Sequence, residues 1–129
     1  MKIILFEDDK VLALEPIVLS RPVFDIRYGS GTLYSRLEQF YVFETISFWV
    51  RESIKKLTSE LYPKHSVNRL HKGNIIWLNA RVLWNKSIIE KINSEPSKKF
   101  CDGDNLLAAN LNYKESVDWL SSRFKKYKN

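Results

Sequence analysis

Four residues in one short span could do chemistry together. They are Arg21, Asp25, Arg27 and Gly29, within Ser20-Arg21-Pro22-Val23-Phe24-Asp25-Ile26-Arg27-Tyr28-Gly29. Arginine presents a planar fork of donors that fits two phosphate oxygens at once. Glycine lets the backbone approach a ligand without a Cβ in the way. Asp25 could hold Arg21 or Arg27 in place, accept a hydroxyl from a sugar, or help bind Mg2+. The chemistry open to such a set is recognition of an anion. The competing account is an internal salt bridge tying a long loop to its scaffold, and residue types alone leave both open.

The flanking sequence shows what must position these groups. Lys2 to Phe6 is an apolar run bounded by Glu7-Asp8-Asp9, which predicts a buried strand. Glu7 to Lys10 reads as a turn. Val11 to Leu19 is apolar, but Pro16 forbids a helix, so an extended segment is expected. Gly29-Ser30-Gly31-Thr32 leads into a helix capped by Thr32, with Leu33, Leu37 and Phe40 on one face. Phe43 to Trp49 is rich in aromatic and β-branched residues and predicts a second strand. Val50, Ile54, Leu57 and Leu61 predict the apolar stripe of a helix that Pro63 ends.

Asn74 to Asn79 predicts a third buried strand, entered through Gly73. Asn85 caps the next helix, with Ile88, Ile89 and Ile92 facing inward, and Ser94 to Ser97 closes it. Asp102-Gly103-Asp104-Asn105 lies between apolar segments and signals a hairpin, because its turn needs positive φ. Asn112 and Glu115 have capping-box spacing before a last helix whose buried face would be Val117, Leu120, Phe124 and Tyr127. Strands alternating with helices predict an α/β fold over residues 1–129, with a mainly parallel sheet, flanking helices and a local β-hairpin. A charged loop after the first strand then falls at the carboxyl edge of that sheet.

Composition narrows the classes. The chain has 129 residues, 44% of them hydrophobic and 28% charged, which is enough to bury a core and unlike a disordered segment. No apolar run is long enough to cross a bilayer, so no membrane partner is expected. The lone Cys101 excludes an internal disulfide and a cysteine zinc cluster, which favours the cytoplasm. A net charge of +6 permits an anionic partner without choosing one. Much of that excess lies in Arg123 to Lys128, where lysine also complements a helix dipole, so nucleic acid is the weaker reading.

Several motifs are missing from the sequence. There is no Walker-type phosphate loop, no Gly-x-Gly-x-x-Gly after the first strand and no Gly-x-Ser-x-Gly elbow. His65 and His71 lack helical metal-ligand spacing and read as solvated loop residues, and no metal site is expected of them. Trp49 and Trp77 read as core, whereas Trp84 and Trp119 are left undecided.

At this point the chain resembles a known family. Residues 3–6, then Leu14 to Val23, then Phe24 to Gly29 and Thr32-Leu33, are similar to the N-terminal part of sugar nucleotidyltransferase-like proteins. The resemblance is nearer to the divergent branch related to bacterial N-acetylglucosamine-1-phosphate uridylyltransferase. That branch has a comparable threonine/serine-arginine-proline, aspartate-isoleucine-arginine, glycine signature. Asn74 to Leu83 resembles its central strand and turn, and Asp102 to Ala109 a later hairpin.

The resemblance implies a Rossmann-like nucleotidyltransferase domain. Such enzymes join a sugar 1-phosphate to a nucleoside triphosphate and release pyrophosphate, using Mg2+. It implies that Arg21, Asp25, Arg27, Gly29 and Thr32 line a nucleotide or sugar-phosphate cleft, with Arg21 and Arg27 as catalytic groups. The alternative is a noncatalytic ligand-sensing or assembly module derived from that fold.

Three departures from the well-studied members bear on this choice. Their glycine-rich, arginine-containing loop after the first strand is replaced by Glu7-Asp8-Asp9-Lys10. Their lysine after the proline is Val23. Their glycine-aspartate at the end of the central strand, which holds the metal, is Asn79-Ala80-Arg81. The sequence stops at Asn129 without the second, sugar-binding half of full members. A truncated domain is therefore expected, completed by a second copy or by a separate chain.

Overall fold

The computed structural model describes residues 2–7, 27–28, 31–41, 45–82, 84–103 and 105–127, with the backbone alone at 27, 28, 31, 33 and 123–127. Its elements are β1 (Lys2–Phe6), β2 (Arg27–Tyr28), β3 (Gly31–Thr32), α1 (Leu33–Leu37), β4 (Ile46–Trp49), a 3-10 turn (Glu52–Ile54), α2 (Lys55–Leu61), β5 (Ile75–Asn79), α3 (Lys86–Asn93), β6 (Lys98–Asp102), β7 (Asn105–Leu111) and α4 (Tyr113–Tyr127). The extended segment expected over Val11 to Leu19 lies outside the described residues.

β1 is the apolar run Ile3-Ile4-Leu5-Phe6, buried on both faces, which is how a central parallel strand reads in sequence. β4 and β5 flank it, and both are parallel to it, with Phe6 level with Trp49 on one side and Asn79 on the other. The sheet runs β4-β1-β5-β7-β6. The expectation of a mainly parallel sheet is therefore corrected to a mixed one, because β7 is antiparallel to both β5 and β6. The hairpin at Gly103, with φ at 61°, forces β6 and β7 to run in opposite directions. Of the two, β7 carries Ala108-Ala109-Asn110-Leu111, all buried, and takes the inner place. β6 carries Lys98 and Lys99, both exposed, and forms the edge, where lysines discourage further pairing.

The other edge is covered differently. Phe48 donates its backbone N–H to Ser66 O and accepts from Asn68 N. The Asn68 side chain then accepts from Val50 N and donates to Val50 O, so it continues the ladder where the backbone turns away at φ 54°.

Two apolar layers cover the faces. Ile3, Leu5, Phe48, Ile76 and Leu78 pack with Leu37 of α1, Ile54, and Ile89 and Ile92 of α3. On the other face Ile4, Phe6, Trp77 and Leu111 pack with Leu120 of α4, and Trp49 and Trp119 close over them. Phe6 and Trp77 each meet Trp119 edge-on, with centroids 5.3 and 4.9 Å away. The core reading of Trp49 and Trp77 holds, and Trp84, also buried, and Trp119 join them.

Four residues expected on buried faces are exposed: Phe40, Leu61, Ile88 and Val117. α1 stops at Leu37, so Phe40 falls beyond it. The 3-10 turn before α2 resets the helical phase, leaving Val50 in the strand exit and turning Ile54 and Thr58 inward in place of Leu61. In α3, Ile89 and Ile92 face the sheet, and Ile88, about 100° round from Ile89, does not. In α4 the inward pair is Ser116 and Leu120, four residues apart, because Ser116 Oγ accepts the indole N–H of Trp77 at 3.0 Å.

The histidines are corrected too. Both are partly buried and hydrogen-bonded. His65 donates from Nδ1 to Ile46 O at 2.8 Å, which leaves Nε2 to accept from the Tyr34 hydroxyl at 2.7 Å. Burial, then the neighbouring Glu38, raise the Tyr34 phenol above its ordinary value, so it keeps the proton it donates. His71 Nε2 lies 2.9 Å from Ser47 Oγ on β4.

Candidate functional site

Topology selects one place on this sheet. From β1 the chain goes to β4 on one side and then crosses to β5 on the other. The connections leaving β1 and β5 therefore diverge, and the carboxyl ends of these two strands frame a switch-point crevice. Glu7 follows β1 there, and Ala80-Arg81 follows β5.

The β1 side is built around an ion pair. Glu7 is 1% exposed and takes Arg51 Nη1 on one carboxylate oxygen at 2.7 Å and Arg51 N on the other at 3.2 Å. Its own backbone N–H donates to Trp49 O at 3.0 Å. The sequence groups this carboxylate with those of Asp8 and Asp9. In the fold its charge is matched by Arg51, a residue 44 positions away that no local spacing could have indicated.

The β5 side is a pinned turn. Asn79, fully buried, donates from Nδ2 to Leu106 O at 3.0 Å and accepts from Arg81 N at 2.9 Å. That second bond closes an Asx turn, in which the side chain stands in for a backbone acceptor. Ala80 N donates to Phe6 O at 2.8 Å, and Trp84 Nε1 donates to Asn79 O at 2.9 Å. The turn therefore fixes the backbone of Arg81, half-buried, just past the end of β5. An asparagine two residues before an arginine at a strand end was the available sequence signal for this turn.

Of the expected site residues, Arg21, Asp25 and Gly29 lie outside the described residues. Arg27 and Thr32 are brought together, as directly opposed partners of the antiparallel β2–β3 ribbon. Thr32 is the N-cap of α1, as expected: Oγ1 accepts from Ser35 N at 3.0 Å, and Ser35 Oγ accepts from Thr32 N at 2.9 Å.

A divalent cation held as the resemblance implies would need a carboxylate at the end of β5. Among the described residues the edge does not fit one. Both oxygens of Glu7 bind Arg51, and the end of β5 carries an amide whose two polar atoms are engaged. No cluster of three potential ligands occurs among the described residues. Asp8, Asp9 and Asp25 lie outside them.

A groove of about 420 Å³ lies at the opposite, amino end of the parallel strands, lined by Lys99, Leu111, Glu115, Asp118 and Trp119 among others. Glu115 there serves the helix cap, since it accepts from Asn112 N and from Ser97 Oγ. No described helix is long and apolar enough to cross a membrane.

Comparison of the sequence with family models finds one described as sugar nucleotidyl transferase, which matches residues 3–128. No curated protein and no solved structure matches the chain.

Proposed function

Because the chain belongs to the sugar nucleotidyl transferase family, we propose that it binds a nucleotide or a sugar phosphate at the switch point between β1 and β5. The reaction in view is transfer of a nucleotidyl group: a sugar 1-phosphate oxygen attacks the α-phosphorus of a nucleoside triphosphate, a new P–O bond forms, and pyrophosphate leaves. In this reading Arg21 and Arg27 neutralise phosphate oxygens, Asp25 orients one of them or accepts a sugar hydroxyl, and Gly29 and Thr32 shape the turn beside them. Catalysis of this kind is mostly positioning and charge neutralisation, so it asks for donors held in place more than for a nucleophile. The cytoplasm, where triphosphates are at hand, is the compartment that suits it.

The observation that supports the reading most directly is the family match over residues 3–128. It spans the Arg21 to Gly29 stretch, both strand ends of the crevice and the hairpin beyond. The test is pyrophosphate release from each of the four common nucleoside triphosphates with a panel of sugar 1-phosphates in the presence of Mg2+. Turnover with one pair is the expected result. Binding without turnover would leave the noncatalytic sensing module, and no turnover together with no ligand-induced rise in melting temperature would overturn the reading.

A further inference from the structure

We propose that the groove between β6 and α4 binds a free amino acid with an apolar side chain, Lys99 taking its carboxylate and Asp118 its ammonium group. The inference concerns a second site and does not depend on the function proposed above.

Three elements build the groove. Glu115, Asp118, Trp119 and Ser122 stand at i, i+3, i+4 and i+7 of α4, so they share one helix face. Lys99 stands opposite Ala109 in the β6–β7 pair, and Leu111 ends β7. The space between them is about 420 Å³, within the range of about 300–1,000 Å³ that small-molecule sites occupy.

Three observations give the chemistry of the guest. First, the groove holds charges of both signs that the fold leaves unmatched. Lys98 pairs with Glu95, and Glu115 is taken up by Asn112 N and Ser97 Oγ. The side chains of Lys99 and Asp118 make no ion pair or hydrogen bond among the described residues, with each other or with any other group. Opposite charges that line one groove without meeting suit a guest that carries both. Second, the groove also has apolar lining. Leu111 is buried, and the ring of Trp119 is held edge-on against Phe6 and Trp77. A ring already fixed by the core gives contact area with little further loss of entropy. Third, two carboxylates and one ammonium line the groove, although the chain as a whole carries +6. A simple anion, which the rest of the surface attracts, is therefore the guest this groove suits least.

A zwitterion with an apolar side chain, such as leucine or phenylalanine, meets all three conditions. Lys99 and Asp118 are exposed, so water weakens each contact and the expected affinity is about millimolar.

The experiment is titration of the isotope-labelled whole chain with leucine and with phenylalanine, followed by the amide and indole shifts in nuclear magnetic resonance. Isoamylamine, which lacks the carboxylate, and N-acetylleucine, which lacks the ammonium, are the controls. Saturable shifts are expected at the Lys99 and Ser122 amides and the Trp119 indole. Lys99→Ala and Asp118→Asn should each weaken binding of the better amino acid about three- to tenfold, the loss of one charge-assisted contact discounted for exposure. Both controls should bind more weakly than leucine. Lys99→Ala should leave the amine's affinity unchanged, and Asp118→Asn that of the acetylated acid. Melting temperatures without ligand should stay together, since neither side chain has a partner among the described residues to lose.

No saturable shift with either amino acid would overturn the proposal, as would shifts confined to residues outside the groove. Equal affinity for leucine and isoamylamine would overturn it too, because the groove would then take a cation alone. Unchanged affinity in both variants would show that these two charges do not hold the guest.

Discussion

Glu7 and Arg51 join the ends of two neighbouring parallel strands through an ion pair of 2.7 Å, with the carboxylate 1% exposed and the guanidinium 19% exposed. Buried pairs of this kind gain little over a well-packed apolar pair, but breaking one leaves a charge stranded away from water. Arg51→Ala should therefore cost about 3–5 kcal/mol of folding free energy. The double replacement Glu7→Leu with Arg51→Met should cost much less. Urea denaturation of the two variants measures the difference, and equal losses would mean that the pair is not what holds these strand ends.

Asn79 tests the β5 side. Its amide donates to Leu106 O and accepts from Arg81 N, and no part of it reaches solvent. Asn79→Asp puts a carboxylate at the end of β5, yet it sets a carboxylate oxygen against the carbonyl of Leu106. That removes a hydrogen bond and buries an unmatched charge, for a loss of at least about 2 kcal/mol. Thermal unfolding should show a lower midpoint that added Mg2+ does not recover. Recovery by Mg2+ would show that the turn can still accept a cation.

Strands and caps were legible because their causes are local. Ile3 to Phe6 and Ile75 to Leu78 are unbroken apolar runs, and such runs have few folds open to them other than central strands. Thr32, Asn85 and the Asn112–Glu115 pair cap the helices they precede, since a cap needs only an oxygen at the right offset. What was not legible depends on distance. Nothing near Glu7 announces Arg51, and nothing near β7 shows that it lies between β5 and β6. Faces failed where a partner across the core decided them: Trp77 reaches for Ser116, and α4 turns to supply it, at the expense of Val117. At the candidate site, the charge on Arg81 was visible, but the Asx turn that fixes its backbone depends on Leu106 and Trp84, which only the fold brings near.

His71 gives the fold a pH dependence whose sign can be derived. Burial, and then Lys2, lower its pKa below the ordinary imidazole value of about 6.5. Above that value the ring is neutral in both folded and unfolded chains, and its contribution to stability is fully present. As pH falls the unfolded chain takes up the proton first, so stability declines from about pH 6.5 down through the lowered folded pKa. Melting temperature should drop across this window, and His71→Asn should flatten the decline relative to the unmodified chain. An unchanged slope would assign the acid sensitivity to other groups.

Trp77 and Ser116 supply the last test. The indole is completely buried among Phe6, Trp49 and Trp119, and its N–H is satisfied by Ser116 Oγ at 3.0 Å, itself fully buried. Ser116→Ala removes one oxygen and leaves that N–H without its acceptor, at a cost of about 1–3 kcal/mol. Trp77→Phe removes the donor and the larger ring together, which opens a cavity and costs more than the lost hydrogen bond alone. In the double variant the unpaired donor no longer exists, so the two losses should sum to more than the double variant shows, with a coupling of about 1 kcal/mol. Guanidinium denaturation followed by far-ultraviolet circular dichroism provides the cycle without relying on the altered tryptophan as its reporter. Strict additivity would mean that α4 does not owe its orientation to this bond.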